Sequence, residues 1–347
     1  QIHDCVQLTD TSLYYLAKLL TNLPSLQSLS LIFVHCRQFT DAGLAYLSRT
    51  LKKIRSLKDL QLELYNLDKA TEKGPYKLNG SFHRLTRLED MSWWLPDCKN
   101  MTDRSLSSLK FKRLVSLREI SLTFSGCYQL TDRSLYVIAQ GLKGLGKLQK
   151  IALGMWDCSE FSNLGLRYLW EAMKSLCCLR GIRLWFSECE KITNDMFVDM
   201  NENLKDLMGS LQEIQLDFCG FDGITDSGMI ALCGFLKKFV ELQSLYVAFG
   251  QCSNITDLGV KEVIDCMESL QNLRSVGIDF DGCEKGTNKS LGFVEEYLKK
   301  AQPSLEKITL GFGVMEARIT KEDLNKFKSE VESLKVQKSD LEIEWTE

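Results

Sequence analysis

The sequence predicts an α/β solenoid in which short parallel strands line a concave face and helices line the convex one. Three observations lead there. First, a tract of about 31 residues restarts from end to end with Thr-Asp or a close variant: Thr9-Asp10, Thr40-Asp41, Thr71-Glu72, Thr102-Asp103, Thr131-Asp132, Ser162-Asn163, Thr193-Asn194, Thr225-Asp226, Thr256-Asp257, Thr287-Asn288 and Thr320-Lys321. Second, the apolar residues before each restart alternate. Third, those after it fall at helical spacing. A unit of this kind cannot bury its apolar face alone, so stacked neighbours must supply a shared core.

The aligned repeat reads L-x-x-L-x-L-x-F-x-x-C-x-x-φ-T-D-x-G-L-x-x-L-x-x-x-L-x-x-L, with φ apolar. Its first half, as in Leu117, Ile120, Leu122 and Phe124, ends in the period of two that marks a strand with one buried face. Thr-Asp then stands where a helix should start: either side chain can accept from the free N–H groups of the first turn, and the carboxylate favours the positive helix end. Leu44, Leu47, Leu51 and Ile54 continue as the buried stripe of an amphipathic helix. Cys5, Cys36, Cys98, Cys127, Cys158, Cys189, Cys252 and Cys283 share one column, filled elsewhere by Leu67, Phe221 and Met315. Residues that can neither form a bridge nor bind metal as thiolates thus replace Cys, so the column reads as buried, reduced and apolar. Reduced thiols in such number point to the cytoplasm.

Read as a whole, residues 1–347 form a single repeat domain of about eleven units. Residues 1–24 are an incomplete first unit, since Cys5 reaches the ladder column with no strand before it. Residues 65–98 are an irregular third unit: Gly74-Pro75 and Asn79-Gly80 predict a helix shortened or replaced by a loop, an irregularity that an outer rim tolerates. Residues 320–347 are rich in charge, with Leu324, Phe327, Val331 and Leu334 facing inward, as a polar C-terminal cap would be.

The repeat L-x-x-L-x-L-x-F-x-x-C with T-D-x-G-L resembles the leucine-rich repeat family, most closely its ribonuclease-inhibitor-like and cysteine-containing branches, the latter familiar from F-box proteins. The resemblance covers nearly the whole chain. It implies a horseshoe fold and a binding role, without naming a partner.

A net charge of -3 gives no basic footprint for nucleic acid, and no apolar run reaches the ~18 residues of a membrane helix. Of the histidines, His35 adjoins Cys36, but strand neighbours point to opposite faces, so they form no nucleophilic pair. No metal spacing, phosphate loop or cofactor motif occurs, and the vicinal Cys177-Cys178 reads as helix-end packing. No catalytic residue, metal site or cofactor is therefore expected, and the chain is read as not an enzyme.

Function then rests on the strand positions that alternation turns away from the core. These carry Tyr65, Trp94, Trp156, Arg183, Trp185, Asp217, Tyr246 and Asp279. Large aromatics and Arg are enriched at binding hot spots, although a Trp beside Gly154 can also simply cover the gap the glycine leaves. Asp59, Glu63, Asp90, Glu119, Glu213, Asp217, Asp279 and Asp281 outnumber Lys150, Arg183 and Lys307 on this face, whereas Lys-rich stretches fall on the helices. The expectation is a non-catalytic scaffold for a basic protein partner, with no nucleic acid and no membrane. Two alternatives stay open: the substrate-recognition part of a ubiquitin-ligase adaptor, and a structural component of a cytoskeletal or ciliary assembly. Neither the partner nor the oligomeric state follows from the sequence.

Overall fold

A computed structural model of the chain describes residues 7–35, 37–313, 318–337 and 341–346. The ladder positions Cys5, Cys36 and Met315 lie outside them. Two compact bodies meet between Leu179 and Arg180 in the sequence and are taken in turn. Up to Leu179 the order is α1 (Asp10–Thr21), β1 (Ser28–Phe33), α2 (Asp41–Leu51), β2 (Asp59–Leu64), α3 (Lys73–Phe82), β3 (Asp90–Trp94), α4 (Asp103–Leu106), a 3-10 turn (Phe111–Arg113), β4 (Glu119–Thr123), α5 (Asp132–Leu142), β5 (Lys150–Gly154) and α6 (Asn163–Met173). The second body continues with β6 (Gly181–Trp185), α7 (Asp195–Leu204), a 3-10 turn (Lys205–Leu207), β7 (Glu213–Asp217), α8 (Asp226–Leu236), β8 (Ser244–Ala248), α9 (Asp257–Ser269), β9 (Ser275–Asp279), α10 (Asn288–Lys300), β10 (Lys307–Gly311), α11 (Lys321–Gln337) and β11 (Glu342–Trp345).

Within each body every strand pairs in parallel with the next one in sequence, as a repeating strand–helix solenoid requires. The register follows the sequence columns. Ile32, Glu63, Trp94, Thr123 and Gly154 stand side by side in the first body. In the second, Trp185, Asp217, Ala248, Asp279 and Gly311 do the same. Alternation buries Leu122 and Phe124, or Leu216 and Phe218, against the helical stripe of Leu135, Ile138 and Leu142 or Met229, Leu232 and Leu236. Strand β11 is not marked in the sequence: Leu341 just before it and Ile343 and Trp345 within it alternate like the other strands but lack the Thr-Asp that marks a repeat.

Thr-Asp does more than cap. Thr40 accepts from the Ala42 N–H at 3.2 Å, the expected helix-start bond. Its Asp41, however, reaches forward: the carboxylate accepts from the N–H and hydroxyl of Thr71 in the next repeat, at 2.8 and 2.6 Å. Asp132 does the same to Ser162, Asp226 to Thr256 and Asp257 to Thr287. Each carboxylate thus satisfies one otherwise free donor at the following helix start. The small residue at the fourth position follows from this. A β-carbon on Gly74 would stand 2.7 Å from the Asp41 carboxylate, whereas Ser290 in the same position donates to Asp257 at 2.6 Å.

The cysteine ladder is buried and unbridged at Cys98, Cys127, Cys158, Cys189, Cys252 and Cys283. Its chemistry is more specific than small and apolar. Cys127 Sγ donates to the carbonyl of Leu95 at 3.3 Å, Cys158 to that of Phe124 at 3.5 Å, Cys252 to that of Phe218 at 3.3 Å and Cys283 to that of Phe249 at 3.1 Å. A thiol fills the apolar column and gives a weak donor to a buried carbonyl. Just before the ladder column the chain turns through positive φ, at His35, Asn66, Asp97, Gly126, Asp157, Glu188, Gly220, Gln251 and Gly282. These turns prolong the parallel ladder past the strand ends, as where Gly126 N–H donates to Trp156 O at 3.1 Å.

Two expectations are corrected. The third repeat keeps its helix, since α3 runs 10 residues through both suspected breakers. Pro75 sits in the first turn, where its missing N–H has no intrahelical acceptor to lose. Buried Asn79 is held by its amide, which donates to Ser105 O at 2.8 Å on α4. The shortened helix is instead α4, only 4 residues long, in the repeat that spans 29 residues from Thr102 to Thr131. Cys177 and Cys178 are not packing residues either: both are exposed, in a turn closed by Leu179 N–H to Leu176 O at 3.0 Å.

Candidate functional site

The surface in question is the strand face turned away from the helices. In the first body, β3 buries Met91 and Trp93 and leaves Trp94 half-buried, because successive side chains alternate. Trp94 Nε1 donates to Ser121 Oγ on β4 at 3.0 Å, so its indole is anchored to the neighbouring strand. Trp156 is 44% exposed, and its Cζ3 lies 2.9 Å from where a β-carbon of Gly154 would be. This ring does fill the gap beside a glycine, yet nearly half of it remains open to a partner. Tyr65 donates to Glu63 Oε2 at 3.2 Å and Gln61 to Glu63 Oε1 at 2.7 Å, holding a carboxylate that is only 5% exposed. Burial and then the Glu63 charge raise the Tyr65 phenol pKa.

Below these, Asp59, Asp90 and Glu119 stand side by side at the starts of β2, β3 and β4. Partial burial, then Glu119 and Asp59, push the Asp90 carboxyl up to about 6. The cation on the same row, Lys150, is taken by Glu119 at 3.5 Å.

In the second body, Trp185 is half-buried between Leu184 and Phe186, which are fully buried. Asp217 lies beside it in register, and Asp279 stands two strands on, with buried Ala248 between the two carboxylates. Ser187 Oγ donates to Asp217 at 2.5 Å. Asp279 has its pKa raised by burial first, then by Asp281 and Asp217, against hydrogen bonds from the Asp281 N–H and Thr346. Tyr246 spreads over Gly277, where a β-carbon would collide with its ring, and burial and then Asp279 and Asp217 raise its pKa. Arg183 is not a free cation: its Nε donates to Glu213 at 2.6 Å. Lys307 is likewise bound, 2.6 Å from Glu344.

Tyr65, Trp94 and Trp156 therefore share one face of the first body, and Arg183, Trp185, Asp217, Tyr246 and Asp279 one face of the second. The sequence reading missed that Arg183 is neutralised and that Glu63 is buried. Both depend on partners one strand away, which column alignment places side by side without saying which side chains meet. No helix among the described residues is long and apolar enough to cross a membrane. No protein-family model matches the chain, and no curated protein matches its sequence.

Proposed function

We propose that the chain is a non-catalytic protein-binding scaffold of the leucine-rich repeat type, ribonuclease-inhibitor-like and cysteine-containing, that takes a basic protein partner on its strand face. One observation carries this reading. On that face the cations Lys150, Arg183 and Lys307 are each paired with a carboxylate of their own body, while among the described residues Asp59, Asp90, Asp217 and Asp279 make no ion pair, Asp217 standing in register with the outward Trp185. Surplus negative charge next to half-buried Trp suits an Arg- or Lys-bearing surface: charge steers the encounter, and the rings supply contact area at little entropic cost. The buried free thiols fit a reducing, cytoplasmic setting.

The test is affinity capture with the purified chain as bait, followed by binding measurements on what is captured. Trp94→Ala and Trp185→Ala should each lower partner affinity by about 2 kcal/mol or more with thermal unfolding nearly unchanged. Asp217→Lys should mainly slow association at low salt. Full retention of binding by both Trp variants would remove the strand face from consideration and move the search to the helices.

A further inference from the structure

The defect in the fourth repeat creates a cleft on the helix side of the first body. Helix α4 ends at Leu106, and the chain returns as the single 3-10 turn Phe111–Arg113. Phe111 is fully buried and lies against α5, where a β-carbon on Gly141 would stand 2.8 Å from its Cδ2. This ring closes the core beneath the missing helical turns. Above it remains a cleft of about 410 Å³ whose polar lining includes Ser107, Lys110, Lys112, Arg113, Tyr136 and Gln140.

The lining holds three cations and no carboxylate. Two cations close in sequence are paired, Arg104 with Glu72 at 3.1 Å and Arg118 with Glu89 at 3.7 Å. Lys110, Lys112 and Arg113 make no ion pair among the described residues. A fourth cation, Arg133, sits over the Tyr136 ring at 5.1 Å. His83, at the end of α3, has its pKa lowered by burial first and then by Arg84, Arg113 and Lys110, so positive charge is concentrated around this opening. Three cations lining one cleft with Leu109, Val137 and Gly141 favour a multiply charged anion, and the Arg fork matches the oxygens of a phosphate. The volume lies within the range of about 300–1,000 Å³ typical of small-ligand pockets.

We propose that this cleft binds a small organic phosphate, its phosphoryl group held by Lys110, Lys112 and Arg113 and its organic part resting on Tyr136 and Val137. The site lies on the opposite side of the repeats from the strand face and does not depend on the scaffold reading. Calorimetric titration of the full chain at low salt with phenyl phosphate, with phenol and benzoate as controls, tests it. Phenyl phosphate should bind and the controls should not. The double variant Lys110→Gln/Arg113→Gln should lose at least about tenfold in affinity. Lys52→Gln/Lys53→Gln, just beyond α2, should lose none, and circular dichroism should show all variants folded. The proposal is overturned if phenyl phosphate fails to bind, if the cleft variant retains full affinity, or if the α2 variant loses as much. Binding of a phosphoserine peptide but not of phenyl phosphate would also overturn the small-ligand assignment.

Discussion

The turn before the cysteine column concentrates the conformational strain of the chain. His35, Asn66, Asp97, Asp157, Glu188 and Gln251 all hold the left-handed conformation that favours glycine, while Gly126, Gly220 and Gly282 occupy the same column without penalty. At φ 57 Gln251 keeps its N–H on Asp281 O at 2.6 Å, a bond glycine would retain. Relief of left-handed strain, about 1–2 kcal/mol, exceeds the added unfolded-state entropy of glycine, about 0.5–1 kcal/mol. Gln251→Gly should therefore raise unfolding free energy by about 0.5–1 kcal/mol in urea titration. Gly126→Ala should do the reverse, because its φ is 67 and its β-carbon would meet Asp97. This strain was legible in principle: a column of His, Asn, Asp, Gly, Glu and Gln is rich in the residues that tolerate positive φ. The alternation that placed Trp94 and Trp185 was legible outright. Which neighbours they meet was not, since Ser121 lies 27 residues from Trp94 and no local pattern selects it.

Between elements, the forward Asp contact makes each repeat boundary a hydrogen-bonded joint as well as an apolar one. Asp132→Ala should remove both bonds to Ser162, at 2.8 and 2.6 Å, and leave a helix-start N–H without its acceptor. About 1–3 kcal/mol of stability should be lost, read from the urea midpoint, while Asp132→Asn should retain part of it. The sequence announced the helix start at every Thr-Asp but not this second role, because the acceptor's partner belongs to the next repeat. The small residue found two places after the Asp in most repeats, Gly or Ser at Gly43, Gly74, Ser105, Ser134, Gly165, Gly228, Gly259 and Ser290 but Met196 and Asp323 in two others, was the available signal. Likewise the 29-residue spacing after Thr102 marked where a helix would fail, whereas Gly74-Pro75 drew attention to the wrong repeat. A proline is harmless in a first turn, and two missing residues are not.

At the scale of the whole chain, the buried thiols should make stability fall at alkaline pH. Burial lifts Cys98, Cys158 and Cys252 from the ordinary value of 9.0 to about 12, and drives Cys127 and Cys283 upward as well. A thiol whose folded pKa exceeds its unfolded one contributes stability that is fully present below the unfolded value and is lost as pH rises toward the folded one. Urea-unfolding free energy should thus be insensitive to these groups up to about pH 8.5 and decline across the range from about 9 to 12, by as much as ~1.4 kcal/mol per pH unit for each thiol. Native alkylation at neutral pH should mark Cys177 and Cys178 quickly and spare Cys127, Cys158 and Cys189. Labelling of those three before unfolding would contradict the burial on which the pH dependence rests. The Asp–Thr joint has one more consequence. Because Asp226 grips Thr256 as Asp257 grips Thr287, excising residues 226–256 would bring Thr225 directly before Asp257 and leave the surviving joints chemically complete. Copy number in the second body is then a variable that duplication or deletion can change in steps of one strand, with the same kind of joint re-formed at the new boundary.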